Sequence, residues 1–134
     1  MSGDRTADAP FDSLPPEQQA RLLAAGRAVA FAPGQTLIEH GDADSGFYVI
    51  RSGRARVERS GHPIAEIGPG DFAGEFGASD WGALHSLRRV ASVIADTDVQ
   101  AVLISGERFN QLLAELPEFR AAVDAVLRER MSTI

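Results

Sequence analysis

One interval of this 134-residue chain carries residue types that could bind a charged ligand. It opens as Gly70-Asp71-Phe72-Ala73-Gly74-Glu75, continues through Phe76-Gly77, and closes as Arg89-Val90-Ala91-Ser92-Val93. A glycine-bearing turn that feeds a short helix exposes backbone N–H groups, and a nearby guanidinium adds forked donors. Together they make an anion site. The Glu75 carboxylate at the same mouth would not favour a bare phosphate, but it can accept hydrogen bonds from a sugar hydroxyl or an amine. Anion donors beside one acceptor predict a ligand with both a phosphate and a ribose. The plainer alternative is a structural ion pair between Glu75 and Arg89 over an empty pocket.

The elements that must hold this interval follow from periodicity. From Arg27 to Ile104 the apolar residues recur with period two, which is the strand signature. Val29 and Phe31 alternate before Pro33-Gly34, and Leu37-Ile38 precedes His40-Gly41-Asp42. Phe47-Tyr48-Val49-Ile50, Ala55-Arg56-Val57, Ile64-Ala65-Glu66-Ile67, Val90 to Ile94 and Val99 to Ile104 read as further short strands. Ser52-Gly53, Ser60-Gly61, Gly68-Pro69-Gly70-Asp71 and Asp96-Thr97-Asp98 punctuate them as turns. Regular short strands of this kind predict a β-sandwich or jelly-roll barrel over about residues 27–104. Only Gly74 to Arg89 breaks the rhythm, where Phe76, Trp81, Leu84 and Leu87 suit one or two helical turns. Trp81 reads as a packing or flap residue.

Helices flank the barrel. Residues 1–10 are small, polar and aperiodic and read as a flexible arm. Pro15-Pro16 then opens a short helix with Leu22, Leu23 and Ala20 facing inward, stopped by Gly26. After the barrel, Ser105 can cap a helix with Glu107 in its first turn. That helix carries Phe109, Leu112 and Leu113 and ends near Leu116-Pro117. A last helix places Phe119, Val123, Val126 and Leu127 on one face, so two C-terminal helices occupy about residues 106–131. The predicted class is mainly β with flanking helices, in one domain over residues 11–134.

Composition narrows the function. The chain is 44% apolar and 24% charged, enough to bury a core. It has no cysteine, which excludes disulfides, thiol catalysis and cysteine-ligated metals. A net charge of −6 argues against a nucleic-acid surface. No apolar run approaches the ~20 residues of a membrane span, and residues 1–10 do not form a signal peptide, so a cytoplasmic protein is expected. His40, His62 and His85 are scattered and form no His-x-His pair, which weighs against a metal site of the cupin type. No Ser, His and Asp grouping has hydrolase context, so no enzyme is expected. Arg120, Arg128 and Arg130 read as a solvated helix face balanced by Asp124 and Glu129.

The order and spacing of several blocks resemble one known family, the cyclic nucleotide-binding domains. Its members include the catabolite activator protein, the regulatory subunits of protein kinase A and nucleotide-gated channels. The blocks are Phe31-Ala32-Pro33-Gly34-Gln35, Gly41-Asp42 leading into Phe47-Tyr48-Val49-Ile50, and Ser52-Gly53. They continue with Gly68-Pro69-Gly70-Asp71, Gly74-Glu75 and Arg89-Val90-Ala91-Ser92-Val93. The likeness runs from about Phe11 to Phe119. It implies a β jelly-roll (double-stranded β-helix) whose phosphate-binding cassette corresponds to Gly74 through Val93. By that resemblance Glu75 accepts from the ribose 2′-hydroxyl and Arg89 pairs with the cyclic phosphate. Backbone N–H groups near Phe76 and Gly77 join the cradle, and Ser92 lines the pocket.

The resemblance also implies a ligand and a mechanism. Members that select cGMP often place Thr or Ser where this chain has Val90, so cAMP is the expected ligand and cGMP the other candidate, with no cofactor. Ligand would draw the cassette inward and repack the C-terminal helices, signalling to an unidentified protein effector or through a homodimer, without direct nucleic-acid or membrane contact. The stretch from Phe76 to Arg88 is several residues longer than the family's usual one. It would form a longer helix or a flap, or else distort the cradle. The second case leaves a degenerate fold used for protein–protein contact. Met1 favours a natural start, and no helix-turn-helix, kinase or channel follows the last helix. The expectation is a stand-alone sensor or one piece of a larger protein.

Overall fold

The computed structural model of the protein describes residues 9–38, 46–59, 61–73 and 92–133. Eight strands lie among these residues. They are β1 (Arg27–Phe31), β2 (Thr36–Ile38), β3 (Phe47–Ser52), β4 (Ala55–Arg59), β5 (His62–Ile67), β6 (Phe72–Ala73), β7 (Ser92–Ala95) and β8 (Val99–Ile104). Strand β1 pairs with β8, β2 with β7, β3 with β6 and β4 with β5, all antiparallel. That is one antiparallel ribbon folded back at the β4–β5 turn. Further pairing of β3 with β8 and β4 with β7 rolls the ribbon into two four-stranded sheets, β1-β8-β3-β6 and β2-β7-β4-β5. The expected jelly roll is the fold of the chain.

Local chemistry explains the pairing. Pro63 cannot donate to a ladder, and it lies in β5, at the edge of its sheet. Gly53 lies where two turns touch: a Cβ there would be 1.9 Å from the Asp98 carbonyl oxygen. Strand β6 is an addition to the sequence reading, because two residues are too few to show a period. Both are fully buried.

The middle of the first sheet is covered on both faces, while Ala28 and Ala30 of β1 stay exposed. Phe47, Val49, Phe72 and Ile104 face one apolar cluster, and Ile50, Ala73, Val99 and Ala101 face the other, which fills the barrel. Three helices close the outer cluster: α1 (Pro16–Ala25), α2 (Gly106–Glu115) and α3 (Pro117–Thr133). Phe47 stacks on Phe109 of α2 with ring centroids 4.2 Å apart, and meets Phe119 of α3 edge-on at 5.8 Å. Phe72 lies 5.1 Å from Phe47 and 5.7 Å from Phe119.

The helix ends follow their sequence signals. The Ser105 hydroxyl accepts from the Arg108 N–H at 3.2 Å, and the Leu116 N–H closes α2 on the Leu112 carbonyl. Phe119, Val123 and Val126 are buried on α3, while the Leu127 side chain falls outside the described residues. Arg120 pairs with Asp124 at 3.9 Å on the exposed side, where Arg128 is also exposed; the side chains of Glu129 and Arg130 are outside the description. On α1 the expected face needs correcting. Ala20 is exposed, and the residue one turn before the buried Leu22 is Gln18, which is buried with it.

Gln18 is held by charge. Its Nε2 donates to Glu118 Oε1 at 2.6 Å, tying α1 to α3, and Arg21 pairs with Glu115 to tie α1 to α2. The Gln18 amide, together with the Glu118 backbone N–H, holds the Glu118 carboxyl below the usual glutamate range.

The N-terminal stretch is anchored at Ala9 and Phe11. Residues 1–8 of the expected arm lie outside the described residues, but Ala9 and Phe11 are buried. The Phe11 N–H donates to the Gly70 carbonyl at 2.9 Å, and Arg51 lies over the Phe11 ring at 5.1 Å. Gly70 has φ +87°, and a Cβ there would meet the Ala9 Cβ at 2.7 Å. The next residue, Asp71, is only 4% exposed and its Oδ2 accepts from the Gly68 N–H at 2.8 Å. This turn leads straight into β6.

Two outcomes are expected. Asp71→Ala leaves the Gly68 N–H without its acceptor and should lower stability by about 1–3 kcal/mol in urea denaturation; an unchanged midpoint would contradict this role. For Glu118, a depressed carboxyl contributes stability that is complete above the ordinary glutamate value and fades as pH falls through it toward the lower folded value. The stability advantage of the wild type over Glu118→Gln should therefore shrink on acidification below about pH 4. A difference constant across that range would show that the ionised form gives nothing.

Candidate functional site

Among the residues singled out by sequence, Gly74, Glu75, Phe76, Gly77, Arg89 and Val90 lie outside the described residues. Ser92 lies within them, and so do both strands that flank the interval. Strand β6 ends at Ala73 in the first sheet, and β7 begins at Ser92 in the second. The chain from 74 to 91 therefore joins the two sheets. At one end Ala73 is fixed opposite Tyr48 of β3; at the other, β7 lies between β2 and β4.

Strand alternation determines which side chains β7 turns inward. Val93 and Ala95 are buried in the barrel cluster. Ser92 is half-buried and directly opposite Glu58, with which it shares the outer face. The alternation so turns Ser92 away from the barrel interior beside which it was expected to line a pocket.

The barrel interior is apolar. Leu37, Val57, Ala73, Val93 and Ala95 are buried there, with Val29, Phe31 and Tyr48 half-buried against them. Phe31 meets Tyr48 edge-on at 6.1 Å, and the Tyr48 hydroxyl donates to the Leu37 carbonyl at 3.2 Å. Such walls suit an apolar or aromatic group and discriminate poorly between charged ones. Of the buried polar side chains among the described residues, Asp71 accepts from the Gly68 N–H and Gln18 donates through Nε2 to Glu118, while the Gln18 Oε1 is buried without a partner.

Sequence reading did not single out the charged cluster on the outer face. Arg56 of β4 pairs with Glu58 two residues on and with Asp96 just after β7. The hydrogen bonds to Glu58 and then Asp96 raise its basicity further. The Arg56–Glu58 half was legible, since residues two apart on a strand share a face; Asp96 depends on the β4–β7 pairing. Among the described residues no group of three or more His, Cys, Asp or Glu could hold a metal ion. No described helix is long and apolar enough to cross a membrane.

Comparison with known proteins agrees with this architecture. The family model for the cyclic nucleotide-binding domain matches residues 28–115, a span that includes both Glu75 and Arg89. The cAMP-dependent protein kinase regulatory subunit of Hypocrea atroviridis is 33% identical over 103 residues, covering 77% of this chain and 21% of that protein. The hyperpolarization-activated cyclic nucleotide-gated channel 4 of Homo sapiens is 30% identical over 124 residues, covering 92% of this chain and 10% of that protein. Among solved structures, the catabolite activator protein of Thermus thermophilus superposes with TM-score 0.77 at 26% identity, over 92% of this chain and 58% of that one. The chain spans about a fifth to a quarter of the length of the kinase regulatory subunits it matches. These relatives are regulatory rather than catalytic in name. With the jelly roll, the interval joining its sheets and the matched span all in agreement, the chain belongs to the cyclic nucleotide-binding domain family.

Proposed function

We propose that residues 11–134 form a cytoplasmic cAMP sensor that passes ligand binding through α2 and α3 to a protein effector. The carrying observation is the pair Glu75 and Arg89, placed by sequence in the interval that joins the two sheets beside an apolar barrel. In this reading Arg89 neutralises the cyclic phosphate, backbone N–H groups from Gly74 to Gly77 complete the cradle, and Glu75 accepts from the ribose. The apolar barrel wall takes the base. Val90 has no polar side-chain group with which to reach a guanine, and the kinase regulatory subunits at 31–33% identity are named as cAMP-dependent. Both points favour cAMP over cGMP.

The effector route is supported by the aromatic cluster. Phe72 lies two residues before Gly74 and touches Phe119 of α3, so movement of the interval has a packed path to the last helix. A second reading has a specific observation behind it. The regulatory subunit of a cAMP-independent protein kinase A from Trypanosoma brucei matches with TM-score 0.71 and 26% identity. The same fold can therefore serve a chain that does not answer to cAMP. In that reading the long 76–88 stretch leaves a protein-contact module with no nucleotide.

Calorimetric titration with cAMP and cGMP separates the readings. The wild type should bind cAMP more tightly than cGMP, and Arg89→Ala should weaken binding roughly 10- to 100-fold, the loss of one charge-assisted hydrogen-bonding group. No binding by a folded wild type would leave the protein-contact reading. Amide exchange tests the route separately: saturating cAMP should change protection across α3. Identical exchange in α3 with and without bound ligand would rule out transmission through that helix, because a ligand acts only through differential affinity for two states.

A further inference from the structure

Strand β2, like the β3–β8 and β4–β5 pairings, contains a break in register. Thr36 pairs with Ile94 and Ile38 with Val93, so two steps along β2 match one step along β7. Leu37 is the extra residue of a β-bulge and has no partner in the β7 register. A bulge bends its strand and interrupts the ladder, and bulges are concentrated at sheet edges and beside functional sites. Strand β2 is such an edge.

The structure supplies the bulge with a partner from the opposite sheet. Tyr48 belongs to β3 in the first sheet, and its side chain packs in the barrel cluster. Its hydroxyl donates to the Leu37 carbonyl at 3.2 Å, and Phe31 meets the ring edge-on at 6.1 Å. The same residue pairs through its backbone register with Ala73, the last residue of β6. Tyr48 thus joins β6 through its strand and β2 through its phenol. Strand β2 in turn carries β7 through the Ile38–Val93 pairing.

We propose that Tyr48 is a positioning residue for the nucleotide site. By bracing the bulged β2 against the first sheet it fixes the spacing between Ala73 and Ser92, the two ends from which the interval with Glu75 and Arg89 is hung. The proposal rests on the cyclic nucleotide reading above. Packing alone does not require it, because the ring could fill the same volume without its hydroxyl.

The test is Tyr48→Phe in the full chain, which keeps the ring and removes only the donor. Two readouts are taken together: cAMP affinity by calorimetry, and amide exchange in the protein without ligand. The variant should bind cAMP roughly 3- to 10-fold more weakly, the effect of one neutral hydrogen bond. Exchange should rise in residues 36–38 and 92–95 and stay unchanged in the β4–β5 hairpin. Unchanged affinity in a binding wild type overturns the proposal, and so does faster exchange spread evenly over the barrel, which marks a general loss of stability. If the wild type binds neither cAMP nor cGMP, the ligand reading has failed and the positioning proposal falls with it. Local exchange at β2 and β7 then shows whether the brace itself exists.

Discussion

From Phe47 to Ile50, strand β3 presents apolar residues to both layers, and the rest of the molecule is arranged to cover them. Along β3, Phe47 and Val49 enter the cluster under the helices while Tyr48 and Ile50 turn into the barrel. A strand that is apolar on both sides must be covered on both sides. The second sheet covers one face; α2 and α3 cover the other. Burying a phenylalanine is worth about 1.5–3 kcal/mol, and a well-placed ring pair adds about 0.5–1.5 kcal/mol. Phe47, Phe72, Phe109 and Phe119 collect several such terms at one point. The helices are therefore held by the same sheet that forms the barrel wall.

Charge is distributed on a different principle. Arg21, Arg54 and Arg120 each face one carboxylate and Arg56 faces two, and all five of these pairs lie at least partly in solvent. Exposed pairs of this kind contribute about 0–1 kcal/mol, so they matter little to stability. They do matter to recognition, because a guanidinium already matched to Glu or Asp is a poor phosphate donor. With a net charge of −6 on the chain, an anionic ligand has to be met locally, which in the proposed reading is the task of Arg89 and the backbone N–H groups beside it.

Much of this was legible in the sequence, and the parts that were not share a cause. Period-two runs marked β1, β3, β4 and β8, and the cap at Ser105 and the break at Leu116-Pro117 marked the helix ends. The missed features depend on partners distant in sequence or on too few residues to show a period. Arg56 finds Asp96 forty residues on, Gln18 finds Glu118 a hundred residues on, and the burial of Ala9 requires the turn at Gly70. The bulge in β2 is visible only through its register with β7. For the site, residue types and spacing pointed to Glu75 and Arg89, which lie outside the described residues. Ser92 is different. Its likeness to the family suggested a pocket residue, yet the alternation that buries Val93 already turns Ser92 outward.

Strand β6 connects these two halves of the molecule. Its two residues face opposite layers: Ala73 enters the barrel cluster, and Phe72 enters the aromatic cluster with Phe119. Successive strand residues always diverge in this way, but here one residue separates the layer that would receive a base from the layer that anchors the last helix. A rotation of β6 that moved Ala73 would have to move Phe72 as well, and close-packed rings do not accommodate such a shift without their neighbours yielding. In the proposed reading, ligand energy enters at Gly74 and is felt first by Phe72. Among the described residues the strand pairs with Tyr48 and Val49, and the Ile50 N–H extends the contact by donating to the Asp71 carbonyl at 2.9 Å. Any shift at Ala73 in that reading has to carry Phe72 and its partners Phe47 and Phe119 with it, which is why the last helix would feel the ligand at all.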